Sequence, residues 1–162
     1  MTAKLADADD SGKRPIGSAM DLALEEAKAA GARGEVPIGA VVVSPDGTVL
    51  ARAGNRTLEL RDPMAHAELL AIREACAQLK SERLVDCDLY VTLEPCAMCA
   101  GAISFARIRR LYFGAADPKG GAVEHGPRLF GQAICHHAPE VYGGLSETAA
   151  AALLKDFFAA RR

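Results

Sequence analysis

Alternating apolar and polar positions divide the chain into short helices and strands. Apolar residues recur at helical spacing over 16–31, where a glycine marks the expected helix end. Two β-rich runs, 38–43 and 48–53, flank the turn sequence Pro45-Asp46-Gly47. Because this turn chemistry joins neighbouring strands, the segment predicts an antiparallel hairpin.

Further helices and strands alternate along the rest of the chain. We predict helices over 65–79, 95–106 and 146–160, and strands over 89–92, 110–113 and near 141–142. The apolar face of the helix 65–79 comprises Leu69, Ile72, Cys76 and Leu79. The strand–helix–strand order in the middle implies a parallel pair of strands with a right-handed crossover. The sum predicts an α/β fold, a three-layer α/β/α sandwich with a central mixed sheet of about five strands.

Length and composition predict one folded domain. The 162 residues are 50% hydrophobic and 25% charged, which is typical of a globular chain of this size. Residues 1–14 are polar and mixed in charge, so we expect a flexible N-terminal extension and a single domain over 15–162. No apolar run approaches the ~18 residues of a membrane helix. Since an apolar signal-peptide core is also missing, we expect a cytoplasmic protein.

The net charge argues against a general polyanion-binding protein, but RNA binding through a local cationic patch stays possible. Lys and Arg total 19 and Asp and Glu total 21, which gives a net charge of −2. Cationic residues nevertheless predominate over 105–128 and at the C-terminus. Such local patches can bind phosphates, although most of them are simply solvated surface.

The spacing of cysteine and histidine carries the candidate chemistry. The chain has five cysteines, and an odd number argues against a disulfide framework. Cys96 and Cys99 form a Cys-x-x-Cys pair at a predicted helix start, where both thiols point to one side and the helix N-terminus favours thiolates. His66, at the start of another helix, supplies a nitrogen ligand. Three protein ligands leave the fourth tetrahedral position to water, which is typical of catalytic zinc.

Glu68, two residues after the histidine, is placed to act on that water. Zinc lowers the pKa of a bound water from about 15.7 toward ~7, and a neighbouring carboxylate can take its proton and return it to a leaving group. The pattern therefore predicts hydrolytic attack on an electrophilic carbon, with one Zn²⁺ per subunit. A redox Cys-x-x-Cys would give no reason for His66 and Glu68, and a structural zinc ribbon would need a second Cys-x-x-Cys pair.

These motifs resemble those of the bacterial tRNA-specific adenosine deaminases, within the cytidine-deaminase-like superfamily. The His-x-Glu and Pro-Cys-x-x-Cys pair is shared across that superfamily and indicates the reaction class alone. The segment 117–122 and the Asp-Phe-Phe end at 156–158 favour tRNA over free bases. The resemblance covers about 17–162, and its segments are 35–40, 55–56, 62–68, 92–103, 107–108, 113–115 and 117–122.

The resemblance implies a homodimer that converts adenosine to inosine at the wobble position of an arginine tRNA anticodon. Water would attack C6 of the flipped adenine, while Glu68 protonates N1 and then passes a proton to the departing ammonia. Flipping a base of the anticodon loop costs less than opening a duplex, because loop bases are already unpaired.

Substrate contacts are also implied by the resemblance. Asn55 is either a turn residue or a contact to the target nucleoside, Pro37 shapes the strand entry or lines the pocket, and Asp117 caps a loop or contacts the RNA backbone. One of Phe157 and Phe158 is expected to face the substrate and the other the core. The expected substrate-binding residues are Asn55, Pro37, Ala67, Asp117 and Phe157, with Lys119 and Arg161 as phosphate contacts.

The segment 122–144 departs from the common form of the family. Its Cys135, His136 and His137 either bind a second metal or, as we favour, belong to a loop packed on the sheet or the dimer face. Alternatives to the tRNA enzyme remain open. They are a deaminase of the same superfamily that acts on guanine, cytosine or a nucleoside, a non-enzymatic zinc-containing RNA-binding module, and a redox protein.

Overall fold

A computed structural model describes residues 16–162 and shows a five-stranded sheet between two layers of helices. The expected extension, 1–14, lies outside the described residues. The helices are α1 (Ile16–Ala32), α2 (Ala67–Leu79), α3 (Ala97–Ala106) and α4 (Glu147–Ala159), and a 3₁₀ turn spans Leu129–Gly131. The strands are β1 (Gly39–Val43), β2 (Val49–Gly54), β3 (Asp88–Leu93), β4 (Arg110–Ala115) and β5 (Glu140–Tyr142). Within these residues, no helix has the length and apolarity needed to cross a membrane.

The sheet is mixed, in the order β2-β1-β3-β4-β5. Strand β1 pairs antiparallel with β2 and with β3, whereas β3–β4 and β4–β5 are parallel. The predicted hairpin and the predicted parallel pair are both confirmed. Because β3 and β4 run in the same direction, the loops that leave their carboxyl ends start at one edge of the sheet.

Alternate residues of each strand pack against different helix layers. Leu89, Val91 and Phe113 face α2 and α3, while Tyr90 and Tyr112 face α1 and α4. This is the period-2 alternation of strands covered on both faces. The three-layer sandwich predicted from the sequence is therefore confirmed.

Helix α2 packs through a different face from the predicted apolar one. Of the four residues of that face, Ile72 is buried, but Leu69 and Cys76 are half-buried and Leu79 is 43% exposed. The buried positions of α2 are instead Ala67, Glu68, Ala71, Ile72 and Ala75. Small alanine side chains let the helix axis lie close to the sheet, where leucines would hold it away.

Candidate active site

The N-termini of α2 and α3 bring the predicted ligands together. His66 is the N-cap residue of α2 and Cys96 is the N-cap residue of α3, and both have extended backbones. Neither side chain caps its own helix. Both are therefore free to turn toward each other, and Cys99 joins them from the first turn of α3.

The ligand atoms are spaced as a tetrahedral zinc ion requires. His66 Nδ1 lies 3.6 Å from Cys96 Sγ and 3.5 Å from Cys99 Sγ, and the ligand atoms all lie within 4.8 Å of one another. Zn–N bonds of about 2.0–2.1 Å and Zn–S bonds of about 2.3 Å at tetrahedral angles put N and S roughly 3.5–3.6 Å apart. The donor set and its spacing thus fit zinc.

Among the described residues this is the one cluster with the make-up of a metal site. The alternative of a second metal at Cys135, His136 and His137 is not supported. Cys135 Sγ lies 3.4 Å from Ser104 Oγ and donates to His137 O over 3.1 Å. His137 Nε2 lies 2.7 Å from Ile108 O. The contacts of Cys135 and His137 pack the loop onto the end of α3, whereas the sequence favoured packing on the sheet or the dimer face.

The helix N-terminus stabilises negative charge on Cys96. A hydrogen bond from the Cys99 thiol, helped by the backbone N–H groups of Cys99 and Met98 and by His66, holds the pKa of Cys96 well below its ordinary value. Thiolate is the form of cysteine that binds zinc. The same hydrogen bond raises the pKa of Cys99, so Cys96 is the cysteine whose thiolate the first turn of α3 stabilises.

Glu68 lies beside the ligands at the wall of a small cavity. It stands in the first turn of α2, is 4% exposed, and has its pKa raised mainly by burial. The cavity has a volume of about 170 Å³, and His66 and Cys96 also line it. A carboxylate in this position can exchange protons with a molecule in the cavity.

Asn55 joins the end of β2 to the start of α2. It is 5% exposed, and its Oδ1 accepts the Ala67 N–H over 2.9 Å. Its Nδ2 has no hydrogen-bond partner among the residues that the structure describes. Ala67 is fully buried in the hydrophobic core and does not line the cavity.

A larger cleft of about 540 Å³ adjoins the cavity. The two share Leu93, Asp117 and Gly120 as lining residues. The structure thus brings the predicted Asp117 to the zinc site. The cleft is also lined by Lys119, which the sequence predicted as a phosphate contact, and by Phe158 of α4.

Three other predicted substrate contacts, Phe157, Arg161 and Pro37, line neither the cavity nor the cleft. Phe158, not the expected Phe157, lines the cleft. Phe157 is half-buried under the Arg161 guanidinium, whose carbon lies 3.4 Å from the ring centroid. Pro37 is buried beside Gly31, while its neighbours Val36 and Ile38 line the cleft and the cavity.

Sequence reasoning gave no role to Glu94, a buried residue that lines the cavity. Its only sequence signal is an acidic residue that directly follows an apolar strand and precedes the Pro-Cys pair. That pattern does not reveal which distant groups the carboxylate binds.

Comparison with known proteins agrees with this geometry. Residues 14–115 match the family of the cytidine and deoxycytidylate deaminase zinc-binding region. The tRNA-specific adenosine deaminase of Agrobacterium fabrum (strain C58 / ATCC 33970) is 65% identical over 143 residues, which cover 88% of this chain and 93% of that protein.

Solved structures similar to this chain are also deaminases. One comes from a study of A-to-I editing by tRNA:A34 deaminases at the wobble position of transfer RNA. It shares 66% identity with a TM-score of 0.83, over 85% of this chain and 99% of that chain. A guanine deaminase from Nitrosomonas europaea has a TM-score of 0.73 but 26% identity, over 98% of this chain and 97% of that chain. The chain therefore belongs to the cytidine and deoxycytidylate deaminase zinc-binding family and, within it, to the tRNA-specific adenosine deaminases.

Proposed function

We propose that this chain converts adenosine to inosine at the wobble position of a tRNA anticodon, of the arginine type, by adding water at C6 and releasing ammonia. One observation carries the proposal. Three zinc-ligating atoms and the buried Glu68 meet at a small cavity, and this cavity shares one wall with a larger cleft that contains Lys119 and Phe158. The small space suits one flipped base, and the large one suits the nucleotides beside it.

The residues of the cavity divide the chemistry between them. His66, Cys96 and Cys99 would hold the zinc ion, which when bound would supply Lewis-acid activation of a water molecule and lower its pKa toward about 7. Glu68 takes a proton from the attacking water, gives it to N1 of the adenine, and moves the next proton to the amino group that leaves C6 as ammonia. Atoms balance, since adenosine and water give inosine and ammonia.

Substrate positioning falls to groups around the cavity. Asn55 uses Oδ1 to hold the Ala67 N–H, which leaves Nδ2 to donate a hydrogen bond to the target nucleoside. In the cleft, Phe158 offers an exposed aromatic face for a neighbouring base, and Lys119 offers a cation for phosphate.

Two variants on the same helix test the proposal. Purified wild-type protein, Glu68→Ala and Glu74→Ala are incubated with an arginine tRNA anticodon stem-loop that carries adenine at the wobble position, and sequencing reads A-to-G conversion. Glu74 is exposed on α2 and serves as the control. We expect the wild type and Glu74→Ala to convert the RNA, and Glu68→Ala to lose about 10²–10⁴-fold in rate with its zinc content unchanged.

Folded, zinc-loaded wild-type protein that leaves the stem-loop unconverted would contradict the tRNA assignment. The reaction class would then be tested on free guanine and other bases, the substrates suggested by the more distant guanine deaminase structure.

The chain is also proposed to act as a homodimer. Phe105 of α3 is 73% exposed and Ile134 is 78% exposed. Both line an apolar cleft of about 320 Å³ between α3 and the segment 129–136. Exposed apolar surface of this kind is typical of protein–protein interfaces, and a second copy of the chain is the partner we infer.

A further inference from the structure

Glu94 is a buried carboxylate that binds one loop. It follows β3 directly, stands two residues before Cys96, and its side chain is 0% exposed. Its Oε1 accepts the Asp117 N–H over 3.1 Å and lies 2.7 Å from His125 Nδ1. Its Oε2 accepts three more backbone N–H groups, those of Val123, Glu124 and His125, over 3.1–3.2 Å. Both oxygens are therefore fully used by residues of the loop 117–125.

The 117–125 loop is shaped to fit around this carboxylate. Gly121 N donates to Asp117 O over 2.8 Å, and Ala122 N donates to Pro95 O over 2.9 Å. A Cβ added to Gly121 would lie 2.5 Å from Asp117 O and would overlap the Glu94 carboxylate. The backbone at Gly121 thus lies so close to Glu94 that only glycine fits at this position.

The same loop forms the wall between the cavity and the cleft. Asp117 and Gly120 line both spaces, and Lys119 lines the cleft. Asp117 Oδ1 accepts the N–H groups of Lys119 and Gly120 over 3.2 and 3.0 Å. The Asp117 side chain therefore organises the loop tip, whereas Glu94 fixes the loop to the rest of the protein.

We propose that Glu94 is a positioning residue for RNA: it fixes the 117–125 loop relative to the start of α3, so that the RNA cleft keeps one geometry relative to the zinc site. The inference rests on the proposed function, because it concerns how that substrate is held. Hydrogen bonds to a charged group are stronger than those between neutral groups. Five donors from the loop bind the Glu94 carboxylate. Glu94 touches no reacting atom in this scheme and acts through the loop.

Substitution of Glu94 by glutamine is the first test. In Glu94→Gln either orientation of the amide turns an NH₂ group toward backbone N–H donors, so the loop loses its fixed position. Steady-state kinetics on the arginine anticodon stem-loop should show KM raised about tenfold or more, with kcat within about threefold of wild type. Zinc content should stay at the wild-type value.

His125 gives a second, milder test that does not depend on the folding of Glu94→Gln. The variant His125→Ala removes one of the five donors and should raise KM about threefold to tenfold. His125→Asn replaces the ring nitrogen by an amide donor and should restore most of the affinity. A residue that merely stabilises the fold would lower the active fraction, and hence kcat, without changing KM.

Two results would overturn the inference. One is wild-type KM in folded Glu94→Gln and His125→Ala. The other is loss of zinc and kcat at constant KM, which would make Glu94 a support for the metal ligands instead. Failure of the proposed function is distinguishable, because the wild type itself would then leave the stem-loop unconverted.

Discussion

Asn55 uses its Oδ1 atom in a hydrogen bond, whereas its Nδ2 atom has no partner within residues 16–162. Its Oδ1 accepts the Ala67 N–H over 2.9 Å, so an aspartate at this position would still hold the start of α2. The substitution Asn55→Asp removes the Nδ2 donor that we assign to the target nucleoside. We expect a folded protein with normal zinc content and a kcat/KM about tenfold to a hundredfold lower on the anticodon stem-loop.

Asn55→Ala supplies the comparison for this prediction, because it removes both atoms and should also lower the thermal midpoint. Unchanged kcat/KM in Asn55→Asp would show that Asn55 serves only to connect β2 with α2.

Local spacing explains which site residues the sequence could predict. His66, Cys96 and Cys99 each stand at a helix start, and a helix start fixes the direction of its first side chains within a few residues. The donors to Glu94 come from positions 23 to 31 residues further along the chain. No periodicity reports such a contact, because it depends on how two loops meet after folding. The choice between Phe157 and Phe158 has the same cause, since it depends on how α4 is rotated against the sheet.

Helices and strands were predictable because packing of the sheet between two layers of helices requires apolar residues at regular helical or strand spacing. The observed bounds of β1, β3 and α4 lie within one residue of the predicted ones. Every other helix and strand was predicted with the correct type. The buried face of α2 was not predictable in the same way. Its leucines dominate the pattern, but the sheet accepts Ala71 and Ala75, because close approach of a helix favours small side chains.

Close packing between α1 and β1 leads to a prediction at the level of these elements. A Cβ added to Gly39 would overlap Ala23 O and lie 2.6 Å from Ala27 N. Since both atoms belong to the backbone of α1, they can move only if the helix moves. Gly39→Ala should therefore lower the free energy of unfolding by about 1–3 kcal/mol.

Urea denaturation measures this effect as a shift in midpoint at constant slope. Gly131→Ala is the matched control, because a Cβ at Gly131 meets nothing within 4 Å. A Gly39→Ala midpoint equal to that of Gly131→Ala would mean that α1 moves away from β1 without loss of stability.

At the scale of the whole molecule, the cavity and the apolar cleft lie at different parts of α3. The zinc ligands Cys96 and Cys99 are at its first turn, whereas Phe105 is one residue from its end. A substitution at Phe105 therefore tests association without touching a metal ligand. It also leaves the loop around Glu94 unchanged, since Phe105 lines a separate space formed with Leu129 and Ile134.

Phe105→Asp should convert the proposed homodimer into a monomer. A carboxylate placed at the centre of an apolar interface has to be desolvated, and this penalty exceeds the contacts that remain. We expect light scattering coupled to size-exclusion chromatography to give twice the 17.0 kDa chain mass for the wild type and the chain mass for Phe105→Asp. Ala29→Asp is the control, because it adds the same charge at an exposed position of α1, in the opposite helix layer. Ala29→Asp should remain a dimer. A monomeric wild type, or a dimeric Phe105→Asp, would exclude this face as the interface between two copies of the chain.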